Sequence, residues 1–129
     1  MRIEHIAIWT LDIERLRSFY EKYFDCRAGE KYINPIKNFE SYFLAFDGGA
    51  RMEIMRMPLV QSRAADLGGT FVGIAHFAVS VGSRQAVISL TERLRRDGFS
   101  VVGEPRTTGD GYFESVIKDP DGNLIEITI

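Results

Sequence analysis

The sequence predicts an α+β fold built from two tandem β-α-β-β-β modules. Three observations predict it. The order strand, helix, strand, hairpin can be read in the first half and again in the second. The opening strands match in frame, "IEHIAI" (3–8) against "IAHFAV" (74–79). Each half closes on a strand, a Gly-bearing turn and a second strand, which is a hairpin signal.

The elements follow in order. "IEHIAIWT" (3–10) alternates strictly, with Ile3, His5, Ala7 and Trp9 on one face, and reads as a strand. Asp12 is a good helix N-cap, and Ile13, Leu16, Phe19, Tyr20, Tyr23 and Phe24 recur at helical spacing, so an amphipathic helix is expected over 13–24. "AGEKYI" (28–33) reads as a weak strand, and "SYFLAFDGGARMEIMRM" (41–57) as a hairpin about Asp-Gly-Gly. In the second half "GIAHFAVSV" (73–81) reads as a strand. Residues 83–98 read as a helix capped by Ser83 and stopped by Gly98. "FSVVGEP" (99–105) reads as a strand, and "GYFESVIKDPDGNLIEITI" (111–129) as a hairpin about Asp-Pro-Asp-Gly. The hairpins also match, setting Tyr42-Phe43 against Tyr112-Phe113 and Glu53 against Glu126. A repeat this long points to two supersecondary units rather than a solenoid. The expectation is a single domain, 1–129, with modules at about 1–57 and 73–129. A polar, Gly-bearing linker, 58–72, joins them.

Composition narrows the function. The chain has 129 residues, 45% hydrophobic and 26% charged, with a formal net charge of −2. That is an ordinary globular profile without the basic patch that nucleic acid requires. No apolar run approaches the ~20 residues of a membrane helix, and the N-terminus does not read as a signal peptide. Cys26 is the one cysteine, which rules out an intrachain disulfide and makes the reducing cytoplasm the expected setting. It reads as an ordinary residue near a helix end rather than a nucleophile.

The chemistry-bearing residues fall into the repeat. The chain has two histidines, His5 and His76, at the same place in the two opening strands. Each module also has a glutamate in its last strand, Glu53 and Glu126. Taken singly, each has an ordinary structural reading. Together, at repeat-equivalent positions, they form a set of two imidazoles and two carboxylates. Such a set suits a divalent metal ion (Ni, Co, Zn, Mn or Fe) and leaves positions on an octahedral ion for substrate oxygens. Trp9 shares the His5 face and is placed either to line a pocket or to sit in the core. Arg56 and Arg106 are candidates to hold an anionic substrate or are solvated surface. "TTGDGYF" (107–113) precedes a strand, not a helix, so it is no dinucleotide-type phosphate loop. It reads as a mobile flap or a plain hairpin connection.

These residues resemble the vicinal oxygen chelate superfamily, which includes glyoxalase I, bleomycin-resistance proteins, fosfomycin-resistance enzymes, extradiol dioxygenases and methylmalonyl-CoA epimerase. The resemblance spans essentially the whole chain. It rests on "IEHIAI", "IERLRSFYEKYFDC", "ARMEIM", "GIAHFAVSV" and, most specifically, "DPDGNLIEI". It implies two βαβββ modules forming a cupped mixed β-sheet around a metal held by His5, Glu53, His76 and Glu126. The order His, Glu, His, Glu is that of glyoxalase I. Two-His, one-Glu members and metal-free binding members lack part of it, and the epimerase usually has Gln at the Glu53 position. The resemblance therefore implies a metal-dependent lyase or isomerase acting through an enediolate on a small α-oxo or hemithioacetal substrate. Glu126 or Glu53 would be the catalytic base. The alternatives are an epimerase, an Fe(II) dioxygenase and a metal-free small-molecule or antibiotic-binding protein. A homodimer with shared metal sites is expected, or else a monomer closed around one site. Two positions depart from bacterial glyoxalase I. Trp9 stands where an arginine typically holds a glutathione carboxylate, and Met57 where a glutathione-binding asparagine is typical. Both put glutathione in doubt.

Overall fold

The hairpins organise each module, because the strand that opens the module pairs with the strand that closes it. The structure is a computed structural model that describes residues 1–62 and 72–129. It divides into two compact units, Met1–Ala65 and Asp66–Ile129. Most of the expected linker, 63–71, lies outside the described residues.

In the first unit β1 (His5–Trp9) is followed by α1 (Ile13–Phe24), the short β2 (Arg27–Ala28) and β3 (Tyr32–Asn34), then β4 (Phe39–Ala45) and β5 (Arg51–Arg56). The sheet order is β1-β5-β4-β2, with β3 also on β4. The β1·β5 pair is parallel and the β4·β5 hairpin antiparallel. The helix has the expected limits: the Asp12 side chain accepts from Arg15 N at 3.0 Å, and Asp25 ends it in a left-handed conformation. Its apolar stripe, led by Leu16 and Tyr20, is buried and packs on the β4 and β5 side that carries Leu44, Met52 and Ile54. The single weak strand expected at 28–33 is instead two fragments on the edge of β4. Gly29 lies between them, and its N–H donates to Phe43 O at 2.9 Å.

The second unit repeats the plan with β6 (Phe77–Ser80), α2 (Arg84–Arg96), β7 (Val101–Thr107), β8 (Phe113–Lys118) and β9 (Leu124–Thr128). Its order is β6-β9-β8-β7, with β6·β9 parallel. Ser83 caps α2 by accepting from Ala86 N at 3.1 Å. Val87 and Leu94 of the helix and Ile117, Ile125 and Ile127 of the sheet are fully buried. Thr91 is also buried, its hydroxyl 2.7 Å from Ser115 Oγ.

Two expectations shift. The opening strand of the second half starts at Phe77, so His76 stands just before it. The β6·β9 ladder starts at Phe77↔Ile125, one pair later than the β1·β5 ladder, in which His5 is paired with Arg51. The second shift concerns the hairpins. Phe43 faces Glu53 and Val116 faces Glu126, the same separation along the chain in both. Tyr42-Phe43 therefore corresponds to Ser115-Val116, not to Tyr112-Phe113. The extra residues of the second module lie before its hairpin, not in the Asp-Pro-Asp-Gly turn.

That turn is tightly made. Asp119, 4% exposed, accepts from Asp121 N at 2.9 Å, from Asn123 N at 2.8 Å and from Asn123 Nδ2 at 2.9 Å. Gly122 takes φ 85°, which glycine adopts without strain. The turn fixes the register of β9. Asp119→Ala leaves these donors unpaired and is expected to cost about 1–3 kcal/mol in urea unfolding. An unchanged unfolding midpoint would show that the turn holds without its side chain.

Candidate functional site

The register places the histidine and glutamate of each module together. In the first unit Ala7 pairs with Glu53, so His5, two residues before Ala7, shares Glu53's face on the neighbouring parallel strand. In the second unit Ala78 pairs with Glu126, and His76 stands two residues before Ala78. The relation is the same in both. These faces alternate with the buried rows Met52/Ile54 and Ile125/Ile127, so each pair lies on the side of its sheet opposite the helix.

The side chains meet. His5 Nε2 lies 4.0 Å from Glu53 Oε2, and His76 Nε2 lies 3.4 Å from Glu126 Oε2. The glutamates are the less exposed partners in both pairs. Donors about 2.1 Å from one ion stand about 3.0 Å apart at octahedral angles and about 3.4 Å apart at tetrahedral angles. The second pair already has such a spacing and the first needs a small closure, so both fit as two-donor half-sites. Among the described residues no group of three or more His, Cys, Asp or Glu stands together as a metal cluster.

Each half-site has a carboxylate neighbour that sequence reasoning missed. In the first unit Glu4 lies 2.5 Å from His5 Nδ1 and accepts from Arg51 Nε at 2.9 Å. Hydrogen bonds from His5 and then from Arg51 hold the Glu4 carboxyl below its usual range. In the second unit Glu114, 9% exposed, stands opposite Thr128 on β8, on the Glu126 face. Burial first, and then the Glu126 charge, push its pKa up. Arg106, its ladder partner, reaches it at 3.8 Å. The signal for Glu114 was in the sequence, because pairing 114–118 with 124–128 about the turn places it beside Glu126.

The other candidates separate. Trp9 is on the His5 face, 45% exposed and edge-on to Phe39 at 6.1 Å. Arg106 is on the Glu126 face. Arg56 is on the opposite side of its strand from Glu53, in a groove with Leu11, Asp12, Glu14, Lys31 and Glu40, and pairs with Glu40 at 3.7 Å. Residues 108–112 form a plain hairpin connection, with Thr108 N donating to Tyr112 O at 2.8 Å. Cys26 is buried, its thiol pushed up to about 12 by burial, which leaves it unreactive.

Two copies of one module, each with a His–Glu pair on the open face of its sheet, define a duplicated-module α+β protein with paired nitrogen and oxygen donors. The chain belongs to the Glyoxalase/Bleomycin resistance protein/Dioxygenase superfamily, whose model matches residues 2–127. Among solved structures it is similar to a glyoxalase family protein from Enterococcus faecalis, with TM-score 0.79, 22% identity and coverage of 99% of this chain and 97% of that one. It is similar to the trypanothione-dependent glyoxalase I of Leishmania major, with TM-score 0.77, 22% identity and coverage of 99% and 86%. It is also similar to a glyoxylase/bleomycin resistance protein/dioxygenase domain from a Frankia species, with TM-score 0.83, 16% identity and coverage of 100% and 97%. At these identities the likeness is one of fold. No curated protein sequence matches the chain significantly.

Glu114 gives a pH prediction for the metal-free protein. Its raised pKa means that the folded state binds the proton more tightly than the unfolded chain does. The cost of its charge is therefore absent below the ordinary carboxylate value of 4.5 and grows as pH rises above it. Glu114→Gln should raise the melting temperature by on the order of a few degrees at neutral pH, and the gain should vanish in acid. A lower melting temperature at neutral pH would mean that its pairing with Arg106 outweighs repulsion from Glu126.

Proposed function

We propose that this chain is a metal-dependent lyase or isomerase of the glyoxalase I type, acting on a small α-oxo or hemithioacetal substrate. The observation that carries the reading is the His–Glu pair built twice by one register, His5 with Glu53 and His76 with Glu126. The four side chains would together hold a divalent ion (Ni, Co, Zn, Mn or Fe). Each pair supplies two donors, so a complete site needs both. The expected assembly is a homodimer in which the first-unit pair of one chain and the second-unit pair of the other share each ion.

A divalent ion held there would supply Lewis acidity to substrate oxygens and stabilise an enediolate. The chain's own residues would do the rest. His5 and His76 would hold the ion through neutral imidazoles and take no part in the proton transfer. A carboxylate takes the proton from the carbon α to the carbonyl and returns it to the neighbouring carbon. Glu126 is the preferred base, with Glu53 as its repeat counterpart. Glu114 lies on the same face of the sheet as Glu126, so a second carboxylate stands next to the proposed base. Trp9 and Met57 count against glutathione as the thiol. The glyoxalase I of Leishmania major, similar in fold, is described as trypanothione-dependent.

The first test is metal analysis of the native protein, followed by assay on methylglyoxal hemithioacetals of several thiols. Stoichiometric metal, loss of turnover on chelation and conversion of a hemithioacetal are expected. Protein that purifies without metal and loses nothing on chelation sinks the enzyme reading, and oxygen consumption with catechols replaces it with a dioxygenase. Glu126→Gln is expected to reduce turnover far more than metal content; equal losses would leave Glu126 a ligand only.

Sharing between chains has its own test. Mixing His5→Ala chains with His76→Ala chains should restore metal binding that neither variant has alone, since one site of each mixed dimer keeps all four ligands. No restoration after dimer exchange would favour sites within single chains.

A further inference from the structure

The two imidazoles are not prepared in the same way. His5 has Nδ1 held 2.5 Å from Glu4, while Nε2 is turned toward Glu53 at 4.0 Å, beyond hydrogen-bond distance. For His76 the structure gives only the Nε2 contact with Glu126, and no described residue partners its Nδ1. The residue before His76 is Ala75, which cannot play the part of Glu4.

Glu4 is itself held. Arg51, the ladder partner of His5, donates from Nε to Glu4 Oε1 at 2.9 Å and also from Nη2. The Arg51 guanidinium lies over the Phe43 ring, 4.2 Å from its centroid. His5 stands edge-on to the same ring at 5.3 Å. The backbones agree, with Arg51 N donating to Glu4 O at 3.0 Å. Phe43 in turn faces Glu53 across the hairpin. One ring thus backs both the arginine and the histidine.

We infer that Glu4, clamped by Arg51 over Phe43, is a positioning residue that locks His5 as the Nδ1–H tautomer and keeps Nε2 bare as a metal donor. An ionised carboxylate only accepts hydrogen bonds, so a nitrogen within hydrogen-bond distance of it, as Nδ1 is of Glu4, carries the hydrogen, whereas Glu53 at 4.0 Å makes no such bond to Nε2. In a neutral ring the other nitrogen then holds the lone pair. That nitrogen faces Glu53. Such a carboxylate behind a ligating imidazole fixes the ring and raises its basicity, and its loss typically lowers metal affinity by about 10–100-fold. The imidazole of the first half-site is therefore preorganised. This inference rests on the metal reading proposed above.

The test uses two measurements on full-length wild type and Glu4→Ala, with folding checked by circular dichroism; Glu4 is exposed and outside the core. The first is the ¹⁵N chemical shifts of the ring nitrogens in metal-free protein at about pH 8, above the ordinary imidazole range. The expected result is an Nδ1–H tautomer for His5 that becomes a mixture in Glu4→Ala, with His76 unchanged as the internal control. The second is Co(II) affinity by titration, expected to fall about 10–100-fold in the variant. An Nε2–H tautomer for wild-type His5, or a tautomer and a cobalt affinity both indifferent to Glu4→Ala, overturns the clamp. Wild-type protein with the expected tautomer but no cobalt binding overturns the metal reading, and with it the clamp's role toward a metal.

Discussion

The site depends on the parallel pairing of each module's first strand with its last. β1 lies beside β5 and β6 beside β9, although most of a module separates them along the chain. Side chains alternate across a strand, so a slip of one residue in either ladder would send the histidine and glutamate to opposite faces. The hairpins, the helix stripes and the Asp119 turn all act on this register. The buried rows Met52/Ile54 and Ile125/Ile127 oppose a slip, because it would exchange apolar core for carboxylate.

The same constraint explains how glutamates are tolerated in the middle of apolar strands. Glu53 and Glu126 lie on the open faces of their sheets, each with an imidazole within about van der Waals reach. Neither is buried as an unpaired charge, which would be costly. Glu114 is the harder case, because it is nearly buried and its neighbours include a like charge. A cation beside Glu126 would offset that repulsion. This asymmetry of charge in the second unit, and the Glu4–Arg51 clamp in the first, mark how two copies of one module have diverged.

Much of the architecture was legible from local pattern. Asp12 and the Leu16/Tyr20 stripe gave α1 its limits, and Ser83 gave α2 its start. The four candidate donors were singled out because only two histidines exist and both fall at the same frame of a repeat. What escaped was set by pairing between distant segments. The break at Gly29 depends on the edge of β4, and the start of β6 on its ladder with β9. The Tyr42-Phe43 match was a likeness of letters that the register overrules. Glu4 and Arg51 are far apart in sequence and meet only across the parallel ladder, so no local pattern exposes their clamp on His5.

The central claim is that the repeated register delivers two imidazoles and two carboxylates to one ion. X-ray absorption on the cobalt-loaded protein reads the donors directly. The account predicts two imidazole nitrogens with oxygen donors in the coordination shell, and the loss of one imidazole in His76→Ala. A shell without imidazole, or an imidazole count unchanged in His76→Ala, would contradict it.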